Sequence, residues 1–374
     1  MCSQQSNHVD FDLHGLVGIR LIDASPADVE TISRQVGPLK RALTREPDIS
    51  IRFVEKITDA RPLSILGAYD AGFSDDSLYL LRSKQKTTAK VAIPFDSIGQ
   101  ACEIVCESGL RAVPLLIEIV NLTALANNSV PLHASGFVFQ EKGYLCTGWA
   151  KGGKTETLLG FMANGAAYVG DEWVYVTENG MQGIPEPMHI WDWHLTDLPE
   201  FRHRIGRSNR WHLRTTRWLA NTSSKVGSLA GKNGWLGRKF RQFDSLATKQ
   251  RHVKMKPERL FGKEAFQSQA TIDRILFVIS HASDEYRVEP VDPMRVADRM
   301  IFSLLDERSE LMEKFNMYRF AFPDRGNDFL EQSEALMRAR LRSYLTDKSA
   351  FAVYHPYPVS PTRLFEAVTA SLES

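Results

Sequence analysis

The alternation of hydrophobic and polar positions predicts an α/β chain. Alternating runs typical of strands occupy residues 18–22, 50–54 and 77–81. Ser25 followed by Pro26 predicts a helix start between the first two runs, because Ser is a favoured N-cap and Pro fits the first helical turn. We therefore predict an N-terminal α/β domain over residues 1–108, in which strands are mixed with short amphipathic helices.

After residue 108 the pattern changes to helix, hairpin, glycine-rich turn, helix and strands. The predicted elements are an apolar helix over 110–126, hairpin strands over 137–139 and 144–147, a helix over 154–164, strands over 167–169, 173–176 and 275–279, and helices over 293–305, 309–315 and 328–344. Glu141-Lys142-Gly143 predicts a hairpin with glycine at its turn. Gly165 predicts a helix end, because glycine readily takes the left-handed conformation of the C′ position. We predict a second domain over residues 109–374.

The clearest chemical signal is Gly148-Trp149-Ala150-Lys151-Gly152-Gly153-Lys154-Thr155, which fits the G-x-x-x-x-G-K-T pattern of phosphate-binding loops. Glycines let backbone N–H groups approach phosphate oxygens, and the following helix directs its positive dipole end to the same place. In this pattern the Lys154 ammonium reaches the β- and γ-phosphates and the Thr155 hydroxyl binds Mg²⁺. A hydrophobic strand before the loop and an amphipathic helix after it are the expected context.

Two further features add candidate catalytic groups. Gly170-Asp171-Glu172 follows a predicted strand, so one carboxylate can bind Mg²⁺ while the other lies near an acceptor hydroxyl. The alternative is an ordinary acidic turn. His133 lies just before the hairpin that leads into the loop, where it either reaches the γ-phosphate side or is a structural histidine.

Residues 133–173 resemble the catalytic core of the HPr kinase/phosphorylase family, bacterial serine kinases that share their fold with phosphoenolpyruvate carboxykinase. The matching features are His133, a loop ending Gly153-Lys154-Thr155-Glu156-Thr157, the helix that ends at Gly165, and the acidic pair, at the family's intervals. Residues 273–278 resemble a late core strand of that family. The resemblance implies a P-loop core with a mixed sheet, ATP and Mg²⁺ as cofactors, and a cytoplasmic kinase that phosphorylates a hydroxyl, such as serine of a protein or peptide.

The resemblance also implies roles for individual residues. His133, Lys154 and Asp171 would be catalytic, while Thr155, Asp171 and Glu172 would face the metal. The nucleotide would be bound by Gly148, Lys151, Gly152, Gly153, Lys154, Thr155 and Glu156. We favour Asp171 as the base and Glu172 as a metal-side ligand. The family has two Asp where this chain has Asp171-Glu172. The family also has a later glycine-rich signature, linked to phosphorylase activity, that is not visible in this chain. The chain therefore resembles a divergent member. A small-molecule kinase and a nucleotide-gated binding module without transfer are the alternatives.

The net charge excludes little, but the distribution of charge along the chain is informative. The chain has 46 Lys and Arg against 45 Asp and Glu, yet residues 201–260 hold 16 Lys and Arg against Asp244 and Glu258, and all seven Trp lie between 149 and 235. We interpret residues 190–262 as a basic, Trp-rich insertion with a mobile glycine-rich middle, and as a candidate lid. Its charge fits an acidic protein, peptide or phosphorylated substrate, a single-stranded nucleic acid, or a solvated loop paired with the acidic remainder.

The remaining candidates are weaker. His189-Ile190-Trp191-Asp192-Trp193-His194 suggests either a metal site or a polar wall of the substrate cleft, although strand alternation would place its two histidines on opposite faces. Four scattered cysteines (Cys2, Cys102, Cys106 and Cys146) predict reduced, buried thiols. We expect no secretory signal and no membrane span. The N-terminal domain is a candidate for acceptor recognition or for homo-oligomer formation.

Overall fold

The computed structural model describes residues 8–57, 63–66, 71–80, 91–211, 213, 215 and 252–373. Within them the chain is mixed α/β and is built on two large sheets, which confirms the predicted fold class at that level. The N-terminal sheet contains β1 (His8–Leu13), β2 (Val17–Ile22), β3 (Ile49–Val54), β4 (Ser64–Leu66), β5 (Ala71–Phe73), β6 (Ser77–Leu80), β7 (Val91–Pro94) and β8 (Cys102–Glu107). Its order is β1-β2-β3-β8-β7-β6-β5-β4, parallel only between β2, β3 and β8.

Helix α1 (Pro26–Val36) connects β2 to the rest of this sheet and begins where the sequence predicts. Ser25 is the N-cap, and its side chain and that of Asp28 form a reciprocal capping box. The described part of this region contains one further helical element, the 3₁₀ turn Phe95–Ser97.

The second sheet positions the candidate site. It contains β9 (Val130–Phe139), β10 (Lys142–Thr147), β11 (Ala167–Gly170), β12 (Trp173–Thr177), β13 (Gly180–Gly183), β16 (Gln269–Ala270), β17 (Arg274–His281), β18 (Arg287–Pro290) and β19 (Ser349–Pro356), while β14 (Met188–Trp191) and β15 (His252–Met255) pair separately. The order is β16-β13-β12-β9-β10-β17-β19-β18, and β11 pairs with β9. Because β10, β17 and β19 are parallel and the other neighbours antiparallel, the sheet is mixed, as predicted.

Helices cover both sheets and help to bury two apolar clusters. After α1 they are α2 (Leu116–Ala126), α3 (Lys154–Ala163), α4 (His194–Asp197), α5 (Pro257–Phe261), α6 (Pro293–Glu307), α7 (Ser309–Ala321), α8 (Asp328–Leu345) and α9 (Pro361–Glu373). One hydrophobic cluster joins the N-terminal sheet, α2, α6 and α8, and a second lies around α3 and α9.

No helix among the described residues is long and apolar enough to cross a membrane. The three described cysteines are free and buried, as predicted.

Two predicted element boundaries after residue 108 are wrong. Helix α2 begins at Leu116 rather than residue 110, because Pro114 disfavours helical backbone before it and Leu115 is left-handed, with φ of 59°. The hairpin turn lies at Gln140 and Glu141, not at Gly143. Gly143 is already in β10, where a side chain would collide with the Thr271 carbonyl.

His133 also lies elsewhere than predicted, inside the ten-residue strand β9 rather than at a strand start. The segment from His189 to His194 is not one strand, because β14 ends at Trp191 and α4 begins at His194. The ends of the insertion are anchored by pairing of β14 with β15, and Leu195, Phe201, Ile205, Val253, Met255 and Leu260 pack into the second cluster. The glycine-rich middle that we predicted to be mobile lies outside the described residues.

Candidate functional site

The glycine-rich loop 148–153 connects the end of β10 to the start of α3. Gly153 has a φ of 100°, and a Cβ on it would lie 2.6 Å from Nε2 of the buried His355. That nitrogen is 2.8 Å from the Gly152 carbonyl oxygen, to which it donates. Strand β19 therefore holds the loop in place through one histidine.

Substitution of Gly153 by alanine should lower the free energy of unfolding by about 2–3 kcal/mol. The left-handed backbone conformation alone costs a non-glycine residue about 1 kcal/mol, and the clash with His355 adds to it. Gly165→Ala is the matched control, because Gly165 has a φ of 88° and open space around its Cβ position. Urea unfolding of both variants measures the difference, and equal losses would show that the His355 contact contributes nothing.

Lys154 begins α3 and is 5% exposed. Its Nζ donates to the carbonyl oxygens of Gly148 at 3.3 Å and Trp149 at 3.0 Å. Burial lowers the pKa of Lys154, and the charges of Asp171 and Glu172 act against that shift. The ammonium is thus held by the loop carbonyl oxygens, within electrostatic reach of both acids.

Thr155 and Asp171 are in direct contact. The Thr155 hydroxyl donates to both carboxylate oxygens of Asp171, at 3.1 and 3.2 Å. Asp171 follows β11 and is 6% exposed. Burial and the neighbouring Glu172 charge raise the pKa of Asp171 to about 7, although the bond from Thr155 opposes the rise. A carboxyl group with this pKa can accept or release a proton near neutral pH.

His133 bridges two carboxylates. Its Nε2 lies 3.0 Å from Glu172 Oε2 and its Nδ1 lies 2.5 Å from Glu307 Oε1. Burial lowers the pKa of His133, but the bonds with Glu172 and Glu307 outweigh it and raise the pKa to about 9. Both ring nitrogens therefore donate, and the imidazolium is the form present at neutral pH. Glu172 takes a left-handed φ of 70°, a strained conformation that directs its side chain toward this bridge.

Glu156 has a different environment from the other loop residues. Its Oε1 lies 3.1 Å from Nε2 of His194, which is 1% exposed. The Nδ1 atom of His194 accepts the Trp191 backbone N–H, so its Nε2 carries the proton and donates to Glu156. Although burial raises the pKa of Glu156, the His194 bond outweighs it and lowers the pKa. The pair ties the start of α3 to the insertion.

These groups face a common cavity of about 980 Å³. Of the predicted site residues, those lining it are His133, Lys151, Gly152, Gly153, Lys154, Thr155, Glu156, Asp171 and Glu172. Gly148 is absent from this lining and lies under the loop, where a Cβ would be 2.6 Å from the Val278 carbonyl oxygen. His189, Asp192 and His194 also line this cavity, as the polar-wall interpretation requires. Over the ranges that the structure describes, no three His, Cys, Asp or Glu side chains are grouped as a metal cluster.

The sequence did not point to three residues of the site. Glu307 ends α6 beside Asp306, where two acids oppose the helix dipole, and this mismatch is the one signal that could have identified it. His355 lies at the buried end of β19, a strand we did not predict. Glu186 lines the cavity with a buried, unpartnered Oε1, and burial together with the Glu172 and Asp171 charges raises its pKa to about 8.

No protein-family model matches the chain, and no curated protein matches it. A functional proposal for this chain therefore depends on the positions of its own side chains.

Proposed function

We propose that the chain is an ATP- and Mg²⁺-dependent phosphotransferase that moves the γ-phosphoryl group to a hydroxyl acceptor. The observation that carries the proposal is the contact between the Thr155 hydroxyl and the buried Asp171 carboxylate, beside a glycine-rich loop that leads into a helix. This is the combination expected where a loop holds phosphates and a hydroxyl and an acid share Mg²⁺. The resemblance to HPr kinases supports the same proposal.

The residues present fit these cofactors. Thr155 and Asp171 offer the hard oxygen ligands that Mg²⁺ prefers, and phosphate oxygens and water normally complete its coordination. The loop turns tightly at Gly152, where a Cβ would lie 2.8 Å from the Trp149 carbonyl oxygen, and a tight glycine turn is what a phosphate loop requires. When bound, Mg²⁺ would neutralise phosphate charge. Thr155 and Asp171 would hold it, with Glu172 on the same side of the cavity.

Other side chains of the site would balance phosphate charge, accept the proton and position Glu172. Lys154 would balance charge on the β- and γ-phosphates, and the first N–H groups of α3 would donate to phosphate oxygens. Asp171 would accept the proton of the acceptor hydroxyl at its carboxylate. The His133 imidazolium would add a positive charge opposite Lys154 and would keep Glu172 in position.

Glu307→Gln should reduce turnover by about tenfold at pH 8–9 and much less near pH 6.5. Loss of one carboxylate lowers the pKa of His133 toward its ordinary value, so the imidazolium is lost first at high pH, and one pKa unit corresponds to tenfold. The measurement is the pH profile of ATP turnover. Asp306→Asn is the control, since Asp306 is the exposed neighbour of Glu307. A uniform loss across pH would contradict this role.

The acceptor is proposed to be a serine of an acidic protein or peptide. Arg202, Arg204 and Arg207 are exposed in the described start of the insertion, and Trp211 there is 69% exposed. Positive side chains beside an exposed ring favour an acidic, extended partner over a small neutral alcohol.

Replacing Arg204 and Arg207 together with Gln should raise the KM for an acidic serine peptide by about tenfold at low salt. The effect should shrink at high salt, because screening removes the attraction in the parent protein as well. The KM for ATP should stay unchanged. Arg287→Gln on β18 is the control for the loss of an exposed arginine. An unchanged peptide KM would remove the insertion from acceptor binding and favour a small-molecule acceptor.

The direct test mixes the purified chain with γ-labelled ATP, Mg²⁺ and either a degenerate serine-peptide library or a panel of small alcohols. Label on a peptide supports the proposal, and label on an alcohol supports the small-molecule kinase. ATP binding without transfer or hydrolysis, even after long incubation, would favour the nucleotide-gated module. Absence of ATP binding in the presence of Mg²⁺ would overturn all three.

A further inference from the structure

A second cavity, of about 280 Å³, lies behind the His133 bridge. It is enclosed by α2, by the end of α6 and by α8, and one side is formed by Trp173 at the start of β12. Its apolar wall consists mainly of Ile117, Leu122, Leu125, Leu304 and Met337. A cavity of this size and lining accepts a small molecule with an apolar body.

Arg308 lines the same cavity between α6 and α7 and is 8% exposed. Its Nη1 donates to the Ser333 hydroxyl at 2.5 Å, while its buried Nε has no hydrogen-bond partner. Within the described ranges, no carboxylate lies at ion-pair distance from Arg308. The Glu334 charge favours the charged form of Arg308 only from beyond ion-pair distance. Because a buried cation without a contacting anion is costly, an anion bound at the guanidinium would stabilise it.

The other polar groups of the wall restrict the charge of that anion. Glu118 and Glu307 also line the cavity, and they would repel a phosphate or a dicarboxylate. Glu307 is already engaged by His133. Asn121 uses its Oδ1 to accept the Tyr175 hydroxyl, which leaves its amide N–H₂ as a further donor.

We propose that this cavity binds a small organic monocarboxylate with an aliphatic or aromatic body. The carboxylate would pair with the Arg308 guanidinium in the two-bond geometry that arginine favours. The body would lie against Leu122, Leu125 and Met337. This binding does not depend on the proposed phosphoryl transfer, although the cavity shares Glu307 with the His133 bridge.

Isothermal titration of the full-length chain with phenylacetate and with neutral phenylacetamide tests the proposal. We expect phenylacetate to bind with a Kd below about 1 mM and the amide at least tenfold more weakly, because only the acid can pair with Arg308. Acetate should also bind at least tenfold more weakly, since it has no body to fill the cavity. Equal binding of the acid and the amide, or no binding of phenylacetate at millimolar concentration, would overturn the proposal.

Two variants locate the binding. Arg308→Met should remove phenylacetate binding, and Leu125→Phe should remove it by filling the cavity while leaving the guanidinium in place. The second variant decides the matter if the first does not fold. Arg287→Met, at an exposed arginine on β18, should bind phenylacetate like the parent chain. Undiminished binding by either folded cavity variant would place the ligand elsewhere and refute the assignment.

Discussion

Lys154→Ala should reduce ATP turnover by about 10²–10³-fold, the range expected when a group that stabilises transition-state charge is removed. In the free protein the Lys154 ammonium is buried against the Gly148 and Trp149 carbonyl oxygens. Charge spreads over the phosphoryl oxygens during transfer, and a fixed cation beside them lowers the barrier without reorganising. The measurement is kcat/KM for γ-labelled ATP at saturating Mg²⁺.

Lys142→Ala is the matched control, because Lys142 is exposed at the opposite end of β10. Its turnover should stay within about twofold of the parent value, as is usual for surface substitutions. Thermal unfolding of both variants shows whether the loop has kept its structure. If Lys154→Ala folds normally and turns over ATP at the parent rate, Lys154 is only an anchor for the loop carbonyls, and the proposed function fails.

The parts of the fold that the sequence predicts well are those fixed by neighbouring residues. The start of α1 is determined by a side chain and a backbone N–H three residues apart, in Ser25 and Asp28. The end of α3 follows from the left-handed Gly165. The start of α2 was missed although a local signal was present, because Pro114 disfavours helical backbone before it and the left-handed Leu115 follows.

In the candidate site, too, residues close together in the sequence could be predicted and distant partners could not. The loop 148–153 with Lys154 and Thr155 is contiguous, so its pattern can be read directly, and Asp171 follows one helix and one strand later. The partner of His133 on its Nδ1 side is Glu307, which is 174 positions away in the chain. No periodicity connects these two residues. Their contact results from the packing of α6 against β9, which only the folded chain brings about.

The insertion illustrates a third case, in which composition was informative but not sufficient. Its excess of Lys and Arg predicts a separate segment, and pairing of Met188 with Met255 closes that segment at its base. No pattern in the sequence indicates that these two methionines pair. The segment 189–194 suggested a metal site or a polar wall of the substrate cleft, whereas the contacts of His194 with Glu156 and Trp191 use both of its ring nitrogens within the protein.

Asp171→Asn should lower turnover by about 10²–10⁴-fold, the usual contribution of a general base, while ATP binding is largely kept. The same substitution should make the free protein more stable at neutral and alkaline pH. Burial raises the folded-state pKa of Asp171 to about 7, far above its ordinary value of 3.8. The folded protein therefore holds a proton that the unfolded chain has already released, and ionising this buried carboxyl group costs stability.

The sign of this effect defines a pH window. Below about pH 4 the Asp171 carboxyl is protonated in both states and costs nothing. Between about pH 4 and 7 the parent chain loses stability relative to Asp171→Asn, on the order of 4 kcal/mol in total, and above that window the difference is constant. Urea unfolding in EDTA from pH 4 to 8 measures it.

Glu172→Gln is the matched control for that experiment and should behave in the opposite way. The hydrogen bond from His133 lowers the pKa of Glu172, so its charged form stabilises the fold, and removing the charge should destabilise the free protein at neutral pH. Opposite changes in two adjacent acids cannot come from a general effect of lowering the negative charge of the site. They would show that Asp171 is held at the cost of stability, as expected for a base kept ready for a proton, while Glu172 serves as the partner of His133. Equal changes in both variants would contradict this division of roles.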